Sequence, residues 1–283
     1  MLQALIIVLR EVLEAALIVG IVLAASRGVP RRGLWVLAGI GAGVGGSLIV
    51  AGFAEAIAMA LSGVGQEVFN AGVLLLATAM LGWHNVWMKS HGRELALQMQ
   101  SVGDAVSSGL KPLSMLLVVV GLAVLREGSE IVLFLYGIAA GGAQPVALWG
   151  GSFLGLLGGM ALGGLMYFGL LRIPTRHLFT VTSWMILLLA AGMASQAAGF
   201  LVQAGLIPAL VEPLWDSSGL LPENSLAGEV LGALIGYDDQ PSAMQIVFLA
   251  VTFVVIAALM RLVDRPRASH RSSRPISTAV PQS

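Results

Sequence analysis

Seven blocks of apolar residues succeed one another along the chain, at 2–25, 33–60, 68–88, 113–138, 146–171, 178–204 and 243–260. Crossing a bilayer takes about 20 helical residues, so the pattern predicts an all-α polytopic membrane protein with seven transmembrane helices. The first block carries Arg10, Glu11 and Glu14 where a secretory signal has its apolar core, and it is expected to be retained as a helix. Polar segments separate the blocks. Residues 89–112 mix Gly, Ser and charges with Leu95, Leu97 and Met99 and are expected to form a cytoplasmic loop with a short amphipathic helix. Residues 205–242 form a long acidic loop, and 261–283, rich in Arg, Ser and Pro, are expected to be a disordered tail.

Composition narrows the class. Of 283 residues, 57% are hydrophobic and only 11% charged, against about 25% charged in a soluble domain. Too few charges are present to coat a water-facing surface, which excludes a soluble fold. The chain has no cysteine, which excludes disulfide scaffolds, thiolate metal sites and thiol catalysis. A net charge of zero leaves no basic footprint for nucleic acid, and no Walker-type phosphate loop is present. The chain is expected not to be an enzyme and to hold no permanently bound cofactor.

The placement of charge says more than its total. Thirteen of the fifteen Lys and Arg fall in alternate inter-block segments, and the intervening segments hold none; the remaining two, Arg10 and Arg126, lie inside helices. Cytoplasmic loops are the ones enriched in Lys and Arg, which puts the N-terminus outside and the C-terminus in the cytoplasm of a cell membrane. The outward 205–242 loop carries Glu212, Asp216, Glu223, Glu229, Asp238 and Asp239 without a basic residue. Such a surface either gathers cations or simply keeps the loop in water.

The chain also repeats itself. Leu9-Arg10-Glu11-Val12-Leu13-Glu14 in the first block reappears as Leu125-Arg126-Glu127-Gly128-Ser129-Glu130 in the fourth, Leu34-Trp35 as Leu148-Trp149, and Leu74-Leu75-Leu76-Ala77 as Leu187-Leu188-Leu189-Ala190. The unit is three helices, 1–88, followed by a second, 113–204, with 243–260 as an added seventh helix. An odd number of spans per unit inverts the second copy, the arrangement that in secondary transporters puts the binding site near the midplane between repeats. Glycines at four-residue spacing, Gly151, Gly155, Gly159 and Gly163 in the fifth block and Gly39/Gly43 and Gly41/Gly45 in the second, are expected to let helices pack closely.

On a helix, Glu11 and Glu14 share a face, as do Glu127 and Glu130, and each motif's Arg lies one turn from its second Glu. A charge at the bilayer centre costs at least about 2.5–3.5 kcal/mol, so six of them need a common reason. Two Arg–Glu bridges fixing helix register would leave two carboxylates unmatched. A proton relay is one use for these; a hard cation is another, and without sulfur ligands iron, manganese, magnesium and calcium all fit. The metal ligands expected are Glu11, Glu14, Glu127 and Glu130, with Arg10 and Arg126 balancing charge.

The duplicated Arg-Glu-x-x-Glu motif in a seven-helix, N-out chain resembles the oxidase-dependent iron permeases, the family of the yeast high-affinity and bacterial Efe-type iron permeases. The likeness extends to Gln66-Glu67-Val68-Phe69, Trp83, Trp87-Met88, Trp215-Asp216-Ser217, Gly236-Tyr237 and Pro241-Ser242. The resemblance implies import of iron, with Fe(III) favoured on ligand hardness, the motif glutamates as ligands, and Glu67 and Asp216 as possible entry ligands. Asn70 departs from it, standing where relatives often carry a further Glu. The resemblance also implies a separate oxidase, peroxidase or periplasmic iron-handling partner. Alternatives are a permease for lead or manganese, or a membrane-embedded di-iron carboxylate oxidase; such oxidases add histidines from Glu-x-x-His pairs, and here positions 14 and 130 are Glu. His84, near the inner end of the third span, is expected to be an interfacial polar residue, with an exit ligand as the other use, and Glu55 an interfacial charge, with an entry ligand as the other use.

Overall fold

The structure is a computed structural model that describes all residues except 62–64, 170–174, 224 and 264–283. Most of the expected tail, and the segment carrying Arg172, therefore lie outside the described residues. Among the described residues the secondary structure is all helix, in eight segments: α1 (Leu2–Ala25), α2 (Arg32–Leu61), α3 (Gln66–Ser107), α4 (Ser114–Ala140), α5 (Pro145–Tyr167), α6 (Thr175–Gln203), α7 (Leu226–Ile235) and α8 (Ala243–Val263). By length and composition α2, α3, α5, α6 and α8 can each cross a membrane. α1 and α4, at 24 and 27 residues, are as long; what sets them apart is three charged residues each, the two motifs.

Two elements differ from expectation. The 89–112 segment is not a loop: α3 runs unbroken to Ser107, 42 residues in all. Residues 93–100, Arg-Glu-Leu-Ala-Leu-Gln-Met-Gln, are strong helix formers and no proline interrupts them. The helix stops where Gly109 takes φ +75° and Pro112 follows, a usual C-terminal signal. The acidic 205–242 loop, in turn, contains α7. Ser225 caps its N-terminus by accepting a hydrogen bond from the Gly228 amide at 3.0 Å, and Gly236 ends it in the left-handed region at φ +66°.

The strongest packing joins α2 to α4 and α1 to α5, followed by α3 with α6 and α6 with α8. Glycine explains the first two pairs. A Cβ on Gly155 would lie 2.6 Å from the Leu5 carbonyl oxygen and 2.9 Å from the Leu9 amide nitrogen; one on Gly159 would lie 2.8 Å from the Val12 side chain. On α2, Gly39 and Gly43 meet the α4 backbone at Leu117 and Gly121 in the same way, whereas Gly41 and Gly45 face open space. Each charged helix is thus seated backbone to backbone on a glycine-lined neighbour. An apolar cluster including Ile7, Leu74, Leu81, Phe134, Leu187 and Met193 fills the space between α1, α3, α4 and α6. Outward faces of α2, α5 and α8 expose Leu34, Leu48, Phe53, Trp149, Phe153 and Val254, the inverse of a water-soluble bundle and consistent with a polytopic membrane protein.

Candidate metal centre

Three helices bring their polar side chains to one point. α1 supplies Glu11 and Glu14, α4 supplies Glu127 and Glu130, and α3 supplies His84. Glu11, His84, Glu127 and Glu130 each offer one ligand atom, and these atoms all lie within 4.8 Å of one another. The His84 Nε2 atom is 3.6 Å from both Glu11 Oε2 and Glu14 Oε2, and its Nδ1 meets Glu130 Oε2 directly. Glu11, Glu14, Glu127 and His84 are all buried. Both carboxylate oxygens of Glu11 and of Glu127 lack a hydrogen-bond partner among the described residues. Buried polar atoms are rarely left so, and four such oxygens around an imidazole have the donor set of a cation site.

The arginines complete the charge pattern. Arg10 Nε donates to Glu14 Oε1 at 2.9 Å, with both side chains buried. Arg126 Nε donates to Glu130 Oε1 at 3.2 Å and lies 3.9 Å from Glu127 Oε1; its guanidinium also stacks 4.4 Å above the Trp87 ring and reaches Met88 Sδ at 3.6 Å. With all four Glu ionised and His84 neutral, the group carries a formal charge of minus two. Beside it lies a cleft of about 500 Å³ between α3 and α4, lined by Ala79, Met80, Trp83, His84, Trp87, Arg126, Glu130 and Phe134.

The structure thus brings together the four expected glutamates and the two arginines, and adds His84. Its expected place at the interface is corrected: His84 sits among the motif carboxylates. A span ending at residue 88 made it look terminal, whereas α3 continues for five more turns. One signal was available. His84 extends a stripe of small and apolar positions, Leu74, Ala77, Thr78 and Leu81, that faces inward along α3. Glu67 and Asp216 lie elsewhere. Glu67 is exposed in the first turn of α3. Asp216 accepts hydrogen bonds from the Ser218 amide and hydroxyl at 3.0 and 2.6 Å, and these bonds, the hydroxyl's first, hold its pKa below the ordinary value. Glu55 is exposed on α2. In the 205–242 loop Glu223, Asp238 and Asp239 approach one another, and partial burial, then the charges of Asp238 and Asp239, raise the Glu223 pKa.

Comparison with known proteins shows the family. Residues 1–263 match the iron permease FTR1 family. The chain is 34% identical to the ferrous iron permease EfeU of Escherichia coli O6:H1 over 279 residues, covering 95% of this chain and 97% of the relative. The same figures hold for the ferrous iron permease EfeU of Shigella sonnei. The Shigella flexneri ferrous iron permease EfeU is 35% identical over 213 residues, 74% of this chain and 88% of the relative. No solved structure matches significantly.

Proposed function

The chain belongs to the iron permease FTR1 family and is a membrane permease for iron, and from this premise we propose that the ion crosses through the centre formed by Glu11, Glu14, Glu127, Glu130 and His84. The observation that carries this reading is the set of unpartnered, buried carboxylate oxygens from two motifs meeting around one imidazole. The carboxylates replace the ion's water, and Arg10 and Arg126 keep the empty site from being a bare cluster of four negative charges. Seven spans, α1 to α6 and α8, carry the centre, with the N-terminus outside. The pairing of α1 with α5 and of α4 with α2 supports the inverted repeat, because exchanging the two three-helix units turns one pair into the other.

The preference for Fe(III) rested on a donor set of oxygen alone. His84 adds a nitrogen, and imidazole suits Fe(II). A formal charge of minus two is balanced by a divalent ion, and the relatives are named ferrous iron permeases. We therefore take Fe(II) as the ion in passage. An inside-negative potential of 100 mV draws a divalent ion inward by about 5 kcal/mol, so no energy from ATP is required. The di-iron oxidase reading gains one histidine from the fold, but among the described residues the centre has no second, which such sites carry.

The test is uptake of radiolabelled iron into liposomes holding the purified protein alone. Fe(II) kept reduced with ascorbate should accumulate under an inside-negative potential, and Glu127→Gln should reduce the rate at least a hundredfold while leaving the protein folded. Wild-type uptake by that variant would remove Glu127 from the path. Faster entry of Fe(III) citrate than of Fe(II) would restore the ferric preference, and oxygen consumption coupled to Fe(II) oxidation would favour the oxidase.

A further inference from the structure

We propose that α7 and the turn that ends it are a re-entrant wedge that closes the metal centre on the side where α1 begins, and that the wedge withdraws from α6 to admit the ion. This deepens the transport reading and rests on it; in the proposed orientation this side faces out. The seat of the wedge is a contact of backbone on backbone. A Cβ on Gly192 of α6 would lie 2.7 Å from the Gly236 amide nitrogen, 2.9 Å from the Gly236 Cα and 3.3 Å from the Ile235 carbonyl carbon. Gly236 is the left-handed residue that ends α7. No side chain fits between the two, so the end of α7 is pressed directly against α6.

That contact is deep for part of a loop. The stretch of α6 apolar enough to cross a membrane is Phe179–Gln203, and Gly192 stands at its middle. Two hydrogen bonds fix the level against the centre. Thr78 donates to the Ala190 carbonyl and Asn85 to the Ser183 carbonyl, with the same spacing on both helices, so α3 and α6 are antiparallel in one register and Gly192 is level with Leu76. His84 lies about 12 Å further along α3, at 1.5 Å per residue. Backbone outside the spanning helices is tolerated at such depth only where protein buries it. The sequence of α7 suits the position: its sole charge, Glu229, is in the first turn, and Val230 to Ile235 are apolar.

What the wedge separates follows from its neighbours. α7 packs on α6 and on α1, two helices with little direct contact of their own. Leu234, near the deep end, packs against the buried cluster that contains Ile7, Leu74, Phe134 and Met193. Ile7 and Phe134 each lie one turn from a motif glutamate, Glu11 and Glu130, on the same helix face, and both are buried. The cluster and Leu234 thus form an apolar seal between α7 and the carboxylates. A cation does not cross such a seal as it stands, because burying an unpaired charge in apolar surroundings is costly. Withdrawal of α7 takes Leu234 out of the cluster, parts the end of α1 from α6 and leaves a way to Glu11. α7 can move as a unit because it carries its own caps, Ser225 at one end and Gly236 at the other.

The absence of cysteine makes the test direct. Ile7→Cys places a single thiol in the seal, and a membrane-impermeant maleimide is applied, without iron, to right-side-out and inside-out vesicles. Adding Gly192→Ala, which drives the Gly236 backbone off α6, should speed labelling from the outer face at least tenfold and from the cytoplasmic face less than twofold. Gly43→Ala crowds the α2–α4 contact as closely, its Cβ lying 2.7 Å from Val124 Cβ and 2.8 Å from the Gly121 carbonyl oxygen, and should leave both rates within twofold. Leu234→Ala takes the place of Gly192→Ala, and Met193→Cys that of Ile7→Cys, where the first choice does not fold. Unchanged labelling with Gly192→Ala, an equal rise with Gly43→Ala, or a rise from the cytoplasmic face would overturn the closure. In right-side-out vesicles Leu234→Cys should react at least threefold faster while Fe(II) is being taken up than without iron, and an unchanged rate with uptake running would overturn the withdrawal. Labelling of Ile7→Cys needs neither iron nor transport, so its failure is distinct from failure of the permease reading.

Discussion

At the scale of single residues, burial decides what each charge is worth. Arg10 is enclosed with Glu14, Glu11 and Glu127 around it. Removing one partner of a buried pair leaves the other uncompensated, at about 3–5 kcal/mol. Arg10→Ala should therefore lower the folded yield sharply, measured as monodisperse protein in detergent and as its thermal unfolding midpoint. Arg126→Ala should lower it less, since the Arg126 side chain is 33% exposed where that of Arg10 is 2%, and should show its main effect in transport. Equal loss of stability in the two variants would contradict the asymmetry between the motifs. His84 calls for a different comparison. His84→Asn keeps a polar group but withdraws the nitrogen that faces Glu11 and Glu14, and it should weaken Fe(II) binding by about tenfold, read by isotope titration of purified protein. The glutamates were legible in the sequence because charge inside an apolar block is conspicuous. His84 was not, because its importance depends on the depth at which α3 sits against α1 and α4, and no local pattern states that depth.

At the scale of elements, the helices were legible almost residue by residue, since an apolar block of membrane length has few other folds open to it. The two misjudged segments were those where hydropathy falls silent. In 89–107, helix propensity outlasts hydrophobicity, so α3 continues into polar sequence. In 226–235, Ser225 and Gly236 bracket a helix whose cap signals were present but embedded in a run of acids that drew attention to charge. Glycine spacing in α5 was read correctly as close packing, but only the structure separates glycines that touch from glycines that do not. Gly155 and Gly159 abut α1, whereas Gly164 has nothing within 4 Å. Gly155→Ala should push α5 off α1 and cost about 1–3 kcal/mol, the range for overpacking, while Gly164→Ala should leave the unfolding midpoint unchanged or slightly higher. If both variants behaved alike, the backbone contact between α1 and α5 would not be what seats the first motif.

At the scale of the whole molecule, the proposed orientation sorts charge across the membrane: basic residues inward, acids in the 205–242 loop outward, and the proposed centre between them. An acidic outer surface raises the local concentration of cations, and the effect is screened over about 8 Å at 0.15 M salt. The loop is folded tightly enough to hold its acids in place, with the Leu214 amide donating to the Pro241 carbonyl and Ser217 to the Asp239 carbonyl. Within it, the pKa values of Glu223 and Asp216 are shifted in opposite directions. Burial and the charges of Asp238 and Asp239 raise the Glu223 pKa, so Glu223 takes up its proton at a higher pH than an ordinary glutamate and the trio loses that charge on acidification. The hydrogen bonds from Ser218 depress the Asp216 pKa, and it stays ionised over the same interval. If the trio gathers iron, the apparent Michaelis constant for Fe(II) should rise as the medium is acidified toward the ordinary carboxylate range, with the maximal rate unchanged. Glu223→Gln should carry the higher constant already at neutral pH and respond less to acid. Both effects should shrink at high salt. A Glu223→Gln variant with the wild-type constant at low iron and low salt would leave these acids only the task of keeping the loop in water, and the capture of iron would then begin at the membrane centre itself.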